Sequence, residues 1–225
     1  MLTVKPGSLD VLHVGAEFDV KEWEGIWGLP TVKPARWSAW SGWPKVKPVS
    51  YDRRNAVRSA HPMLHFFTDD FRFESVWNKP WAGLKAVQRY RLVVAPDFST
   101  YDEWPLICTI WNLYRARWVA AFWQAHGVTV IPTATWCEET LKDDLAFAGL
   151  PRYSTYVLPL PGANDDWSLY ERGLFRMVKL KLTRGLVFLY GGGRASAERY
   201  LRTIHMEAPL ALLPLGRYHQ RLTKP

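Results

Sequence analysis

The chain has 225 residues, 48% of them hydrophobic and 22% charged, with a net charge of +8 at pH 7. This balance excludes a disordered or low-complexity polypeptide, and the length is enough to bury a substantial core. No window approaches the ~18–20 uninterrupted apolar residues of a membrane span, and the first twenty residues lack a basic start and an apolar centre. The expectation is a cytoplasmic protein with no membrane partner.

The first 58 residues read as an N-terminal region that carries a basic arm rich in proline and tryptophan. Val-Lys-Pro occurs at 4–6, 32–34 and 46–48, and four prolines between Leu29 and Pro48 favour an extended path over a helix. Trp37, Trp40 and Trp43 interleave with Lys33, Arg36, Lys45 and Lys47, and Arg53, Arg54 and Arg58 follow. Rings beside cations suit a nucleic acid, whose bases stack while its phosphates meet the charges. Packing of the tryptophans against the rest of the protein is the alternative.

Residues 59–215 read as an α/β core built from successive βα units, and 216–225 as a basic tail. Leu64-His65-Phe66-Phe67 before Thr68-Asp69-Asp70 is the first strand of the series. Arg91 to Trp136 then forms a complete βαβ unit, with strands at Leu92–Ala95 and Val128–Ile131 and a helix over Glu103–His126. Asp102 is its expected N-cap and Gly127 its stop. The strands are short, apolar and β-branched, as in a parallel sheet covered on both faces. Further strands are expected at Ser154–Leu158, Leu186–Tyr190 and Ala211–Leu213.

Several of these strands stop at a proline, Pro96, Pro132, Pro159 or Pro214, which cannot donate to a sheet ladder and marks where the chain leaves it. The architecture expected is a parallel sheet of about five or six strands, open or an incomplete barrel. In such folds the ligand lies beyond the carboxyl ends of the strands, where Asp69, Asp70, Asp97, Trp136, Asn164 and Asp165 fall.

Charge is distributed unevenly. The stretches 29–58 and 172–202 carry +6 and +7, whereas 59–171 carries −4. Basic flanks around an acidic centre suit a polyanion held outside a site able to bind a metal. For Arg172, Arg176 and Lys179 the competing reading is a solvated helix face opposite Leu174, Met177 and Val178.

Within the central helix, Asn112, Arg115, Arg117 and Gln124 stand among aromatic and aliphatic residues, and a buried guanidinium requires partners. The nearest acids in sequence, Asp97 and Asp102, are the expected structural partners. In the functional reading an arginine grips a phosphate or carboxylate. Asp97 is then a general base, or a ligand with Asp70 of a divalent metal, Mg²⁺ or Mn²⁺. Gly191, Gly192, Gly193 and Arg194 follow a strand and offer backbone N–H groups to a phosphate, or form a plain turn. The two cysteines show no zinc or CxxC spacing and read as free thiols. The six histidines show no zinc motif either.

The segments Pro96-Asp97-Phe98-Ser99 with Tyr101, Asn112-x-Tyr114-Arg115-x-Arg117, and Trp123-Gln124 before Val130-Ile131-Pro132 resemble the domain of unknown function 4417 family. The resemblance covers roughly residues 60–193. It implies an α/β fold and a phage, plasmid or other mobile-element setting, hence a host cytoplasm, and supplies no mechanism. Three readings therefore stand at this point. The first is a protein that binds or processes DNA or RNA, with a metal-dependent phosphodiester chemistry as its enzymatic form. The second is an α/β enzyme acting on a small anion such as a nucleotide or sugar. The third is a phage protein that binds and inhibits a host protein.

Overall fold

The computed structural model describes residues 13, 22–35, 46–56, 60–161, 166–182, 187–191, 195 and 210–212. A short antiparallel pair, β1 (Trp23–Glu24) and β2 (Leu29–Pro30), precedes two parallel sheets. The first holds β3 (Lys47–Ser50), β4 (Pro62–His65), β5 (Leu92–Val94) and β6 (Val130–Ile131), hydrogen-bonded in that order. The second holds β7 (Tyr156–Pro159), β8 (Val187–Tyr190) and β9 (Leu210–Leu212). Where one sheet of about five or six strands was expected, the described residues form a four-stranded and a three-stranded parallel sheet. The Val157 N–H donates to the Pro132 carbonyl at 3.1 Å and brings their edges together.

The strands curl. His65 and Phe67, at the end of β4, lie with ring centroids 4.5 and 4.8 Å from that of Tyr190, at the end of β8. In a flat sheet with β5, β6 and β7 between them, these two strands would stand about 19 Å apart. One face of the strands supplies a shared inner layer that includes Met63, Leu92, Val94, Ile131, Val157 and Phe188. The opposite face supplies Leu64, Val93 and Val130 to one outer core, and Tyr156, Leu158, Val187 and Leu189 to another. This alternation explains the unbroken apolar runs in the sequence, because both faces of each strand are covered. Inside, His65 accepts from the Phe67 N–H through Nδ1 at 3.3 Å, and burial lowers its pKa to about 4, so it stays neutral.

Among the described residues, the outer layer includes α1 (Ser75–Asn78), α2 (Pro80–Val87), α3 (Leu106–Ala125), α4 (Glu138–Leu141) and α5 (Trp167–Lys179). The twenty residues of α3 span about 30 Å, and the helix buries Trp118, Phe122 and Trp123 against β4, β5 and β6. It ends where expected, with Gly127 at φ +81°. It begins later than expected, because Pro105 disfavours helical backbone at Trp104 and itself occupies the capping position. Asp102 is consequently not the N-cap. Its carboxylate accepts instead from the Glu138 N–H, at 2.6 Å.

β3 lies in the stretch that composition marks as an extended arm. It is an edge strand, where Pro48 is tolerated. Leu174 and Met177 of α5 are buried, while Arg172 pairs with Glu138 and Arg176 with Asp144, so the arginine face of this helix is solvated and matched by acids. Val178, expected inside, is 44% exposed. Among the described residues, no helix is long and apolar enough to cross a membrane.

Candidate active site at the carboxyl ends of the strands

A cavity of about 630 Å³ opens at the carboxyl ends of the parallel strands. Phe67 and Thr68 enter it after β4, residues 97–103 after β5, residues 134–137 after β6, residues 159–161 from the end of β7, and Tyr190 and Gly191 at the end of β8. The first turn of α5 adds Asp166, Leu169 and Tyr170. The proline stops at 96, 132 and 159 are what turn the chain away from the sheets here.

The carboxyl group of Asp97 is tuned by its surroundings in this wall, where burial also raises the pKa of Tyr190. Asp97 Oδ1 accepts from the Thr135 hydroxyl at 3.2 Å. Burial, with the nearby Asp70 adding to it and Thr135 and Arg117 opposing it, raises its pKa to about 7. The carboxyl group is reached by solvent from the cavity side but backed by protein elsewhere, so its charged form is poorly hydrated. A carboxyl group that takes and gives up a proton near neutrality can serve as general acid or base.

The loop that carries Asp97 is held from behind by a chain of polar contacts. Asp70 accepts from the Ser99 N–H at 3.1 Å and from its hydroxyl at 2.9 Å. The Asn112 amide donates to the Ser99 carbonyl at 2.6 Å and accepts from Arg115 at 2.6 Å. Arg115 also pairs with Glu74 and lies 4.1 Å over the Phe98 ring. The buried guanidinium is thus engaged by protein through Nη1 and Nη2, with its Nε left without a partner among the described residues, and does not line the cavity.

Arg117 is also turned to protein. It donates to the Ala146 carbonyl at 2.9 Å and the Ala148 carbonyl at 3.4 Å, and burial lowers its pKa to about 10. Gln124 accepts from the Lys33 N–H at 2.7 Å and donates to the Lys33 and Val130 carbonyls, fixing the chain that follows β2. Of the five candidate catalytic residues, only Asp97 lines the cavity. The others support it or the surrounding fold. Among the described residues, no group of three or more His, Cys, Asp or Glu side chains stands together to hold a metal ion.

Of the candidate nucleic-acid residues, Lys33, Lys47 and Arg53 are exposed, while Arg54 lies over the Tyr51 ring and donates to the Tyr51 carbonyl. Arg36, Trp37, Trp40, Trp43, Lys45 and Arg58 lie outside the described residues, as do Gly192, Gly193 and Arg194. Gly191, at φ +88°, is part of the cavity wall.

Sequence reasoning missed Thr135, Tyr170 and Asp166. The first was findable, because it follows β6 as Asp97 follows β5. Trp136 stacks on Tyr170 with centroids 5.1 Å apart and donates through Nε1 to the Leu169 carbonyl at 3.2 Å. Gly173 makes this possible, since a Cβ there would stand 2.0 Å from Trp136 Cε2.

The model of the family described as Domain of unknown function (DUF4417) matches residues 21–207. The chain belongs to that family. The match begins well before residue 60, so it includes the proline- and tryptophan-rich stretch that lay outside the resemblance seen in the sequence. The chain is 34% identical over 194 residues to the Gene 1 protein of Mycobacterium phage D29, covering 84% of this chain and 68% of that one. It is 32% identical over 181 residues to the Gene 1 protein of Mycobacterium phage L5, covering 78% and 75%. These relatives support the phage association. No solved structure matches this DUF4417 chain.

The contact at Gly173 yields a test of the cavity wall. Alanine normally stabilises a helix by about 1 kcal/mol relative to glycine. Gly173→Ala is expected instead to destabilise by roughly 1–3 kcal/mol, because Trp136 must move. Chemical denaturation with tryptophan fluorescence reads both effects, and an unchanged or raised midpoint would show that the indole is not held as described.

Proposed function

We infer that this phage-type protein is an enzyme of small-molecule acid–base chemistry, with the cavity at the strand ends as its active site and Asp97 as its proton-transferring group. The observation that carries this reading is the position of Asp97. It stands in the wall of a cavity large enough for a small substrate, oriented by Thr135, on a loop that Asp70, Asn112 and Arg115 keep rigid. Pre-organised supports of this kind are what a catalytic carboxylate requires.

Arg115 and Arg117 have protein partners, which does not favour their use as clamps for a small anion. Their role in this reading is positioning. Arg115 holds the loop on one side of Asp97 and Arg117 holds the segment around Ala146 on the other.

The reading predicts that incubating the protein with a small-molecule extract of bacterial cells depletes at least one species, as followed by mass spectrometry. Asp97→Asn should abolish that depletion by a factor of about 100 or more while leaving the melting temperature unchanged or raised. Equal depletion by wild type and variant, or by neither, would refute it.

Nucleic-acid binding is a second reading, supported by the exposed Lys33, Lys47 and Arg53 and by the basic flanks. In this reading the polymer lies on the outer surface, with the acidic cavity unoccupied by phosphate. Fluorescence anisotropy with labelled single- and double-stranded DNA and RNA should then give sub-micromolar binding that weakens steeply with salt. Binding absent at low salt would leave the basic residues as a solvated surface.

A further inference from the structure

The protein carries 29 lysines and arginines, yet among the described residues none of them lines the cavity, and no histidine does. Four carboxylates do, those of Asp97, Asp102, Glu103 and Asp166. Six aromatic residues share the wall with them, among them Tyr101, Trp136 and Tyr190 at different strand ends. In a chain of net charge +8 this is a local reversal of sign. A negative cavity with low-dielectric walls concentrates cations from solution, and ring faces attract them further.

We propose that the cavity binds an organic cation, a primary ammonium or guanidinium group on an apolar or aromatic body. This deepens the acid–base reading and rests on it. The described carboxylates do not gather into a metal-ligating group, and aromatic faces do not ligate hard metal ions, whereas both features suit a diffuse organic charge. Two of the carboxylates are already oriented as fixed anions. Asp102 accepts from the Glu138 N–H, and Asp166 caps α5 by accepting from the Ser168 and Leu169 N–H groups. Glu103 stands exposed at the mouth.

Among the described residues, the cations close to this set are engaged elsewhere. Arg172 pairs with Glu138 and is influenced by Asp102 and Asp166 without entering the wall. Arg117 lies behind Asp97 and faces the Ala146 and Ala148 carbonyls. Asp70 adds a further negative charge near Asp97. A bound cation close to Asp97 favours its ionised form, so binding displaces a proton from that carboxyl group and strengthens as pH rises.

Three compounds with one ring and three charges test the proposal: tyramine (ammonium), 4-hydroxyphenylethanol (neutral) and 4-hydroxyphenylacetate (carboxylate). Each is titrated into ¹⁵N-labelled full-length protein, and amide shifts are followed at residues 97–103 and at Trp136. Tyramine is expected to bind at least tenfold more tightly than the alcohol, with the carboxylate weakest. Its affinity should rise several-fold between pH 6 and pH 8. Glu103→Lys, whose fold the same spectra verify, should reduce the preference for tyramine at least threefold.

Equal affinity for tyramine and the alcohol, a preference for the carboxylate, or no shifts with any of the three up to about 10 mM would overturn the proposal. Any of these outcomes combined with an Asp97-dependent depletion in the extract experiment would reject the cation and keep the acid–base site. Failure of both experiments would reject the site.

Discussion

Two guanidinium groups buried in an otherwise apolar helix impose the main constraint on this structure. A charge removed from water costs several kcal/mol unless it is paired and hydrogen-bonded, so the chain around α3 must supply partners to Arg115 and Arg117. For Arg115 these are Glu74 and Asn112. Through Asn112 the same contacts reach the Ser99 carbonyl and fix the loop after β5. For Arg117 they are the carbonyls of Ala146 and Ala148. The helix therefore acts as a strut between the loop after β5, which lines the cavity, and the segment around Ala146, which does not. Engaging Arg115 and shaping the site are one and the same arrangement.

Electrostatics in the cavity follow from that arrangement. Because Arg117 is directed to backbone carbonyls, its effect on Asp97 is smaller than that of burial, and the carboxyl group holds its proton up to about pH 7. The sign matters for stability. A carboxyl group whose folded pKa lies above its ordinary value of 3.8 contributes its full stability below that value. The contribution is lost as pH rises through about 7. Above neutrality Asp97 therefore burdens the fold.

Much of the framework was legible in the sequence for one physical reason. Parallel strands covered on both faces are continuously apolar, and Pro96, Pro132 and Pro159 mark where they end, so the carboxyl ends, where the cavity opens, can be read from the residues alone. Gly127 likewise announced the end of α3. What escaped were features set by distant partners. Sequence proximity pointed Arg115 and Arg117 towards Asp97 and Asp102, whereas Glu74 lies 41 residues from Arg115 and the Ala146 carbonyl 29 residues from Arg117. β3 was hidden because an edge strand tolerates the proline that composition reads as a linker. The sign of the cavity was legible in outline, since residues 59–171 carry −4, but not which carboxylates line it, because a segment charge sums residues that point in different directions.

The claim on which the account turns is that Asp97 exchanges its proton near neutral pH within a pre-organised wall. The direct measurement is a titration of aspartate side-chain carboxyl carbons by ¹³C nuclear magnetic resonance, with Asp97→Asn to assign the signal. The account predicts a midpoint at about 7 for Asp97, well above the ordinary aspartate value of ~3.9. A midpoint below about 5 would show a carboxylate that is charged throughout the physiological range, and Asp97 would then be a structural acceptor for Thr135 rather than the centre of a site.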